Sequence, residues 1–452
     1  MSKIERLICH KFFWSFIAFI FLFATFPGKG GFEGGQREIQ YLSERSDNWG
    51  FITPFFYGEW PNFFGQWRFS LVVCQLLSYW LGFYLFFRNR WPDRFLHRIF
   101  LSVFLVFSST FVSQLWRDAT LFAFVFLGLG ILTTARTFSN WFLKFFLYSI
   151  SILFIFFGAC FKPIYSPLIF IFILYSYISL LVNYKLKITV ILLLIGFSIL
   201  PYTFDKHLSN HFGLTKTYPE QQPMIYDLAS VYCWGNSAKS NQYAEKGLRI
   251  IVRENVPIPA VCASLVLTSW DNLHMPMRDW IYNAPLKRLS EEQTSQFSSL
   301  RTAWFKMITN NPREYFLVKM PFATQVLTMA NAFVFPQSKL NSIPKIIHSL
   351  NSILWYFFYF FSNSLDKLRI FTLGCAIFIG VIIFIRKLKY NEITSSNFFH
   401  QSYLLGYLVC TLLLVTFAYV AGNGRYVIPF VLFFYAQILT KDSKSSSRGD
   451  RI

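Results

Sequence analysis

The chain has 452 residues, of which 54% are hydrophobic, 21% aromatic (57 Phe among them) and only 14% charged. An ordinary soluble domain carries roughly a quarter charged residues, so a wholly soluble protein is excluded and an integral membrane protein is expected. The formal net charge of +20 does not mark a nucleic-acid partner, because the Lys and Arg residues stand in short tufts between apolar runs, as topology signals do.

In chain order the apolar runs are 12–26, 69–87, 99–116, 119–135, 145–161, 168–182, 188–202, 370–385, 402–420 and 426–439. Several are shorter than the roughly 20 residues that cross a bilayer, so their ends are expected to extend into flanking aromatics. The expected fold is an all-α polytopic membrane protein of about ten transmembrane helices with a mainly helical external domain. The first run reads as a retained anchor: Phe26 and Pro27 stand where a signal-peptide cleavage site needs small residues.

Between the first two runs lies a loop, 27–68, rich in glycine and in acids: Glu33, Glu38, Glu44, Asp47 and Glu59. Ionisable groups gathered at a membrane face are costly, so this loop is read as a functional region. Basic residues set the orientation: Lys3, Arg6 and Lys11 at the start, Arg88 to Arg98, Arg136 and Lys144, Lys185 and Lys187, Arg386 to Lys389, and the tail from Lys441. With ten spans all of these fall on one side, which is cytoplasmic, and both termini are cytoplasmic with them. The acidic loop and the long segment after residue 202 are then external.

This divides the chain into an N-terminal membrane module of seven spans (1–202), an external domain (203–351), and an interfacial helix with three C-terminal spans and a cytoplasmic tail (352–452). The apolar stretch 349–362 is assigned to the interface, because a span there would invert every later connection. Of seven cysteines, Cys9 is cytoplasmic and Cys74, Cys160, Cys375 and Cys410 lie in or beside spans, where Cys acts as a small apolar residue. Cys233 and Cys262 share the external domain, where they form either a disulfide or two thiols. No CxxC or clustered-His spacing appears, so no metal site is expected; His207, His211 and His274 stand alone. Trp234, Trp270, Trp280 and Trp304 either stack on sugar rings or pack in the core.

The acidic loop opens with Pro27-Gly28 and runs through Glu33 to Gln36. Arg117-Asp118-Ala119-Thr120-Leu121-Phe122 opens the fourth run, and Phe161-Lys162-Pro163 closes the fifth. Later come Trp304 to Tyr315 and Gly422-Asn423-Gly424-Arg425-Tyr426-Val427-Ile428-Pro429. In this order the segments resemble those of bacterial polytopic glycosyltransferases of the GT-C class, most closely the serotype-converting glucosyltransferases that decorate the O-antigen of lipopolysaccharide. The resemblance implies an inverting enzyme of the bacterial inner membrane, working at the periplasmic face. Its donor would be a polyprenyl-phosphate sugar and its acceptor a lipid-linked or surface glycan, with at most a divalent cation as cofactor. The family's catalytic acid is often Asp, whereas the matching position here is Glu33.

Such a transfer needs a carboxylate to take the acceptor's proton and cations to stabilise the departing phosphate. Glu33, with glycines on both sides, is the first candidate for the base; Glu38 and Asp47 are the alternatives, and each could instead be a solvated loop carboxylate. Arg117, Lys162 and Arg425 are the candidates for holding donor phosphate, with Arg425 alternatively an arginine that snorkels to lipid headgroups. Asp118 is either a site residue or an N-cap. Asp271 and Arg278, with Asp279 beside them, are candidates for binding acceptor hydroxyls. Two other readings remain: an O-antigen polymerase, dependent on external arginines, and a lipid-linked oligosaccharide flippase or transporter, which would show repeats and mid-membrane charges not found here.

Overall fold

A computed structural model describes residues 20, 51–53, 55–57, 59, 68–87, 95–113, 117–135, 137–167, 169–170, 184–214, 218, 221–254, 256–265, 286–287, 289–328, 345–368, 372–389, 408–409, 411–412, 430–432 and 434–435. Among the described residues every regular element is helical, apart from one isolated antiparallel bridge between Val252 and Leu286. Among the described residues three helices are long and apolar enough to cross a membrane: α1 (Arg68–Phe87), α3 (Arg117–Ala135) and α4 (Trp141–Cys160). Between the first two lies the apolar α2 (Phe95–Val112). These four match the expected runs to within a few residues at each end. The expected runs 12–26, 168–182, 402–420 and 426–439 lie mostly outside the described residues.

Helix α3 is the axis of the apolar bundle, packed between α1 and α4. Its window is 83% buried, whereas that of α4 is only 22% buried and turns Trp141, Phe142, Phe145, Phe146 and Leu153 outward. An aromatic face that large suits hydrocarbon and not water. Without a hydrophobic drive between helices in lipid, close backbone approach supplies the contact. A Cβ on Gly82 of α1 would lie 2.6 Å from the backbone nitrogen of Leu127, and one on Gly130 would lie 2.5 Å from the carbonyl oxygen of Gly82. On the other flank, Ser151 of α4 donates to the Gly128 carbonyl at 2.7 Å.

Helix α5 (Tyr184–His211) contains the run 188–202, Pro201 included, and continues beyond it into the segment expected to begin the external domain. It stops at Gly213, whose φ of +62° is one that L-side chains avoid, with Leu214 N–H bonded back to Ser209 O and Gly213 N–H to Asn210 O. The next helices form a second, polar module with its own core: α6 (Gln221–Trp234), α7 (Ala238–Ile251), α8 (Ala260–Ser264), α9 (Thr294–Asn310) and α10 (Pro312–Thr328). Cys233 at the end of α6 and Cys262 in α8 form a disulfide, so of the two states open to this pair the bridged one is found. Gln221 clamps residue 289 in both directions, its amide donating to Leu289 O at 3.0 Å and accepting from Leu289 N at 2.8 Å.

The centre of this module is a carboxylate. Asp227 is wholly buried; its Oδ2 accepts from the indole N–H of Trp304 at 2.9 Å and from the Tyr315 hydroxyl at 2.7 Å, while Lys319 forms an ion pair with its Oδ1. The lysine ammonium also lies over the rings of Tyr315 and Phe322. Trp304 is thereby assigned to the core of the module.

Two more helices close the description: α11 (Lys345–Lys367) and α12 (Leu373–Lys389). The first is longer than the apolar stretch 349–362 that the sequence marks. It packs Leu354 and Phe361 against the bundle core and buries Trp355, while Leu350, Ile353, Tyr356, Phe357 and Phe360 face outward. Its ends carry polar residues, and it is not among the described helices long and apolar enough to cross a membrane.

Two outcomes follow. A valine at Gly82 must push α1 off α3, and Gly82→Val is expected to cost about 1–3 kcal/mol, read as a lower thermal midpoint of the purified chain in detergent. Burial, and then the nearby Asp227 charge, push the Tyr315 hydroxyl above its ordinary range. Stability from a group raised in this way is complete below its ordinary pKa near 10 and is lost as the pH climbs from there towards the folded value. The second module should therefore hold to about pH 10 and weaken above it, and Tyr315→Phe should flatten that alkaline loss in tryptophan-fluorescence titrations.

Candidate functional site

At one end of the apolar bundle the side chains change character. Helices α1 and α3 begin at this end, α2 and α4 finish at it, and a polar layer runs across them. Asp118, the second residue of α3, and Lys162, just past the end of α4, form a hydrogen-bonded ion pair in which Lys162 Nζ donates to Asp118 Oδ1. Both are buried, at 2% and 4% exposure. The placement follows from the helices themselves: an acid is favoured at the positive N-terminal end of α3 and a base at the negative C-terminal end of α4. The Lys162 ammonium also lies 4.7 Å from the centre of the Tyr165 ring.

Around the pair the layer is hydrogen-bonded. Thr120 donates to Gln75 Oε1 at 3.2 Å and so accepts from the Tyr57 hydroxyl at 2.7 Å, while Gln75 donates to Val112 O at 3.0 Å. This chain joins residue 57, α3, α1 and α2 in one run of polar contacts within an apolar bundle. Thr53 donates to Phe161 O at 3.2 Å, next to Lys162. Phe51 and Ile52 each give a backbone N–H to Asp205 Oδ1 of α5 at 2.9 Å. Ser166 is fully buried and its hydroxyl makes no hydrogen bond among the described residues.

Residues 51–57, the last part of the acidic loop 27–68, are thus stitched to three elements at this end: α5, the turn after α4, and α3. Glu59, the one acid of that loop among the described residues, is half-buried just beyond. Phe430 packs edge-on against Tyr165 with ring centres 4.7 Å apart, at the same corner.

Of the residues singled out by sequence, the structure brings together Asp118 and Lys162, and sets Arg117 beside them as the half-buried first residue of α3. Asp118 stands at the second position of α3, and its carboxylate is paired with Lys162. That pairing also means that an incoming phosphate would compete with Asp118 for the ammonium. Glu33, Glu38, Asp47, Asp271, Arg278 and Arg425 lie outside the described residues. Among the described residues no three His, Cys, Asp or Glu side chains group closely enough to hold a metal ion, and His207 and His211 are exposed on α5.

Sequence reading passed over Asp205, Gln75, Thr53 and Tyr57. Asp205 had a signal, an acid just past an apolar run, but it was absorbed into the polar segment that follows. Gln75, the polar side chain inside an apolar run, was a second.

No known family, curated protein or solved structure matches this chain.

Removing one partner of the ion pair leaves a buried uncompensated charge, so Lys162→Met or Asp118→Leu alone is expected to cost about 3–5 kcal/mol. The double replacement should recover most of that loss, because two apolar groups leave no orphan charge. Thermal midpoints of the three variants in detergent check both expectations.

Proposed function

We propose that this chain is a polytopic bacterial inner-membrane glycosyltransferase. It moves a hexose, in the first instance glucose, from a polyprenyl-phosphate carrier to O-antigen or another surface glycan at the periplasmic face. The observation that carries the reading is the docking of residues 51–57, the end of the acidic loop, against the bundle end that holds Asp118 and Lys162. Asp47 precedes Phe51 by four residues, at most about 14 Å of extended chain. Arg425 precedes Phe430 by five, at most about 18 Å. Asp47, the last of the three candidate bases in the chain, and Arg425, the candidate phosphate cation, are thus each a short chain length from residues at that bundle end.

In this reading ten spans leave both termini in the cytoplasm, with loop 27–68 and residues 203–351 in the periplasm. The Cys233–Cys262 disulfide supports that placement of the second module, since such bridges persist in oxidising compartments. The acceptor hydroxyl attacks the anomeric carbon from the face opposite the carrier phosphate. The new C–O bond forms as the bond to phosphate oxygen breaks, and the proton passes to the loop carboxylate, Glu33 first and Glu38 or Asp47 otherwise. Arg117 and Arg425, with Lys162 shared from Asp118, stabilise the charge left on the phosphate. Asp271 and Arg278 hold acceptor hydroxyls, and the bilayer supplies the donor lipid.

Glu33→Gln should lower sugar transfer in membranes by about 10²–10⁴-fold at unchanged protein level, the range expected for loss of a general base. Activity equal to wild type for the Gln variants of Glu33 and Glu38 and for Asp47→Asn would remove the loop from the chemistry. A polymerase, by contrast, would lose activity on Arg425→Ala while tolerating all three.

A further inference from the structure

Asp205 has no place in the chemistry just described, yet it joins α5 to residues 51 and 52, more than 150 positions earlier in the chain. Its carboxylate Oδ1 takes two backbone N–H groups, those of Phe51 and Ile52, each at 2.9 Å and from more than 150 residues away in the chain. At 8% exposure it is nearly shut off from water. Two amides on one anionic oxygen make a charge-assisted contact that is stronger than an ordinary hydrogen bond and strongest where water is excluded. The contact does not stand alone: the Phe51 ring stacks on Phe212 of the same helix end at 4.5 Å and 10°. Phe55 N–H returns to Phe51 O, which makes the segment a helical turn with its leading amides aimed at Asp205.

We propose that Asp205 is the positioning residue that latches the acidic loop to the site, acting through the backbone of residues 51 and 52 and not on the substrate. The inference rests on the glycosyltransferase reading only for its consequence, that loosening the latch moves the loop carboxylates away from the reacting hydroxyl. The latch itself stands on geometry. The carboxylate oxygen that faces the loop is already committed to two amides, so a base role for Asp205 does not fit. The end of α5 that carries it is fixed, because the helix is closed at Gly213 and Phe212 is held by the stack with Phe51.

The test uses the full chain in membranes, with its free cysteines replaced and one reporter, Asn48→Cys, in the loop. A membrane-impermeant maleimide is the probe. Asp205→Ala is expected to speed labelling about tenfold, the order expected for losing a hydrogen bond to a charged group. Asp205→Asn, which keeps a carbonyl acceptor but no charge, should give a smaller increase and carries the test if the alanine variant is not recovered. In sugar transfer both variants should lower kcat at a donor KM within twofold of wild type, a split that general destabilisation would not produce. Labelling at the wild-type rate in either recovered variant overturns the latch, and faster labelling with unchanged kcat overturns its role in positioning. Faster labelling in a chain whose wild type transfers no sugar upholds the latch and removes the transferase reading instead.

Discussion

At its polar end the apolar bundle buries an ion pair between two of its elements. Asp118 and Lys162 are the charges that the N-terminus of α3 and the C-terminus of α4 favour, and each is buried against the other. Neither could stay charged alone in so dry a place without a cost of several kcal/mol. The pair therefore ties the start of α3 to the end of α4. Other contacts at this end follow from the same two elements: Thr120, two residues after Asp118, meets Tyr57 and Gln75, and Phe161 offers its carbonyl to Thr53 one residue before Lys162.

The second module repeats the solution with different parts. Asp227 and Lys319 form a buried pair in a soluble-type core, and Trp304 and Tyr315 supply the hydrogen bonds that the carboxylate still needs. In both places a single acid gathers elements distant in sequence, because an anion with several acceptor positions recruits donors from every neighbour. The disulfide then ties α6 to α8 at the rim of the same core. Charge is scarce in this chain, and where it is buried it organises packing.

Much of the architecture was legible from periodicity and composition. The runs 69–87, 99–116, 119–135 and 145–161 became α1 to α4, shifted by a few residues where aromatic flanks extended or shortened a helix. The helix of α11 was longer than its apolar stretch because polar residues at its ends keep helical geometry without adding hydrophobicity. The end of α5 was hidden for a similar reason: hydropathy falls after residue 202 while the hydrogen-bond ladder runs on to His211. Asp118 and Lys162 were each visible as charges at the margins of apolar runs. Their partnership was not, since 44 residues separate them and either had plausible solitary roles.

By itself the sequence determined that the chain is helical, apolar and asymmetric in charge, since these depend on side-chain chemistry summed over short windows. It also placed Cys233 and Cys262 in one segment. Tertiary structure alone decided that Asp118 spends its charge on Lys162, that Asp205 receives the end of the first loop, and that Trp304 points its N–H at Asp227. Such outcomes are fixed by which distant groups share a dry space, where an unpaired charge or donor is too costly to leave, and no local pattern records that proximity.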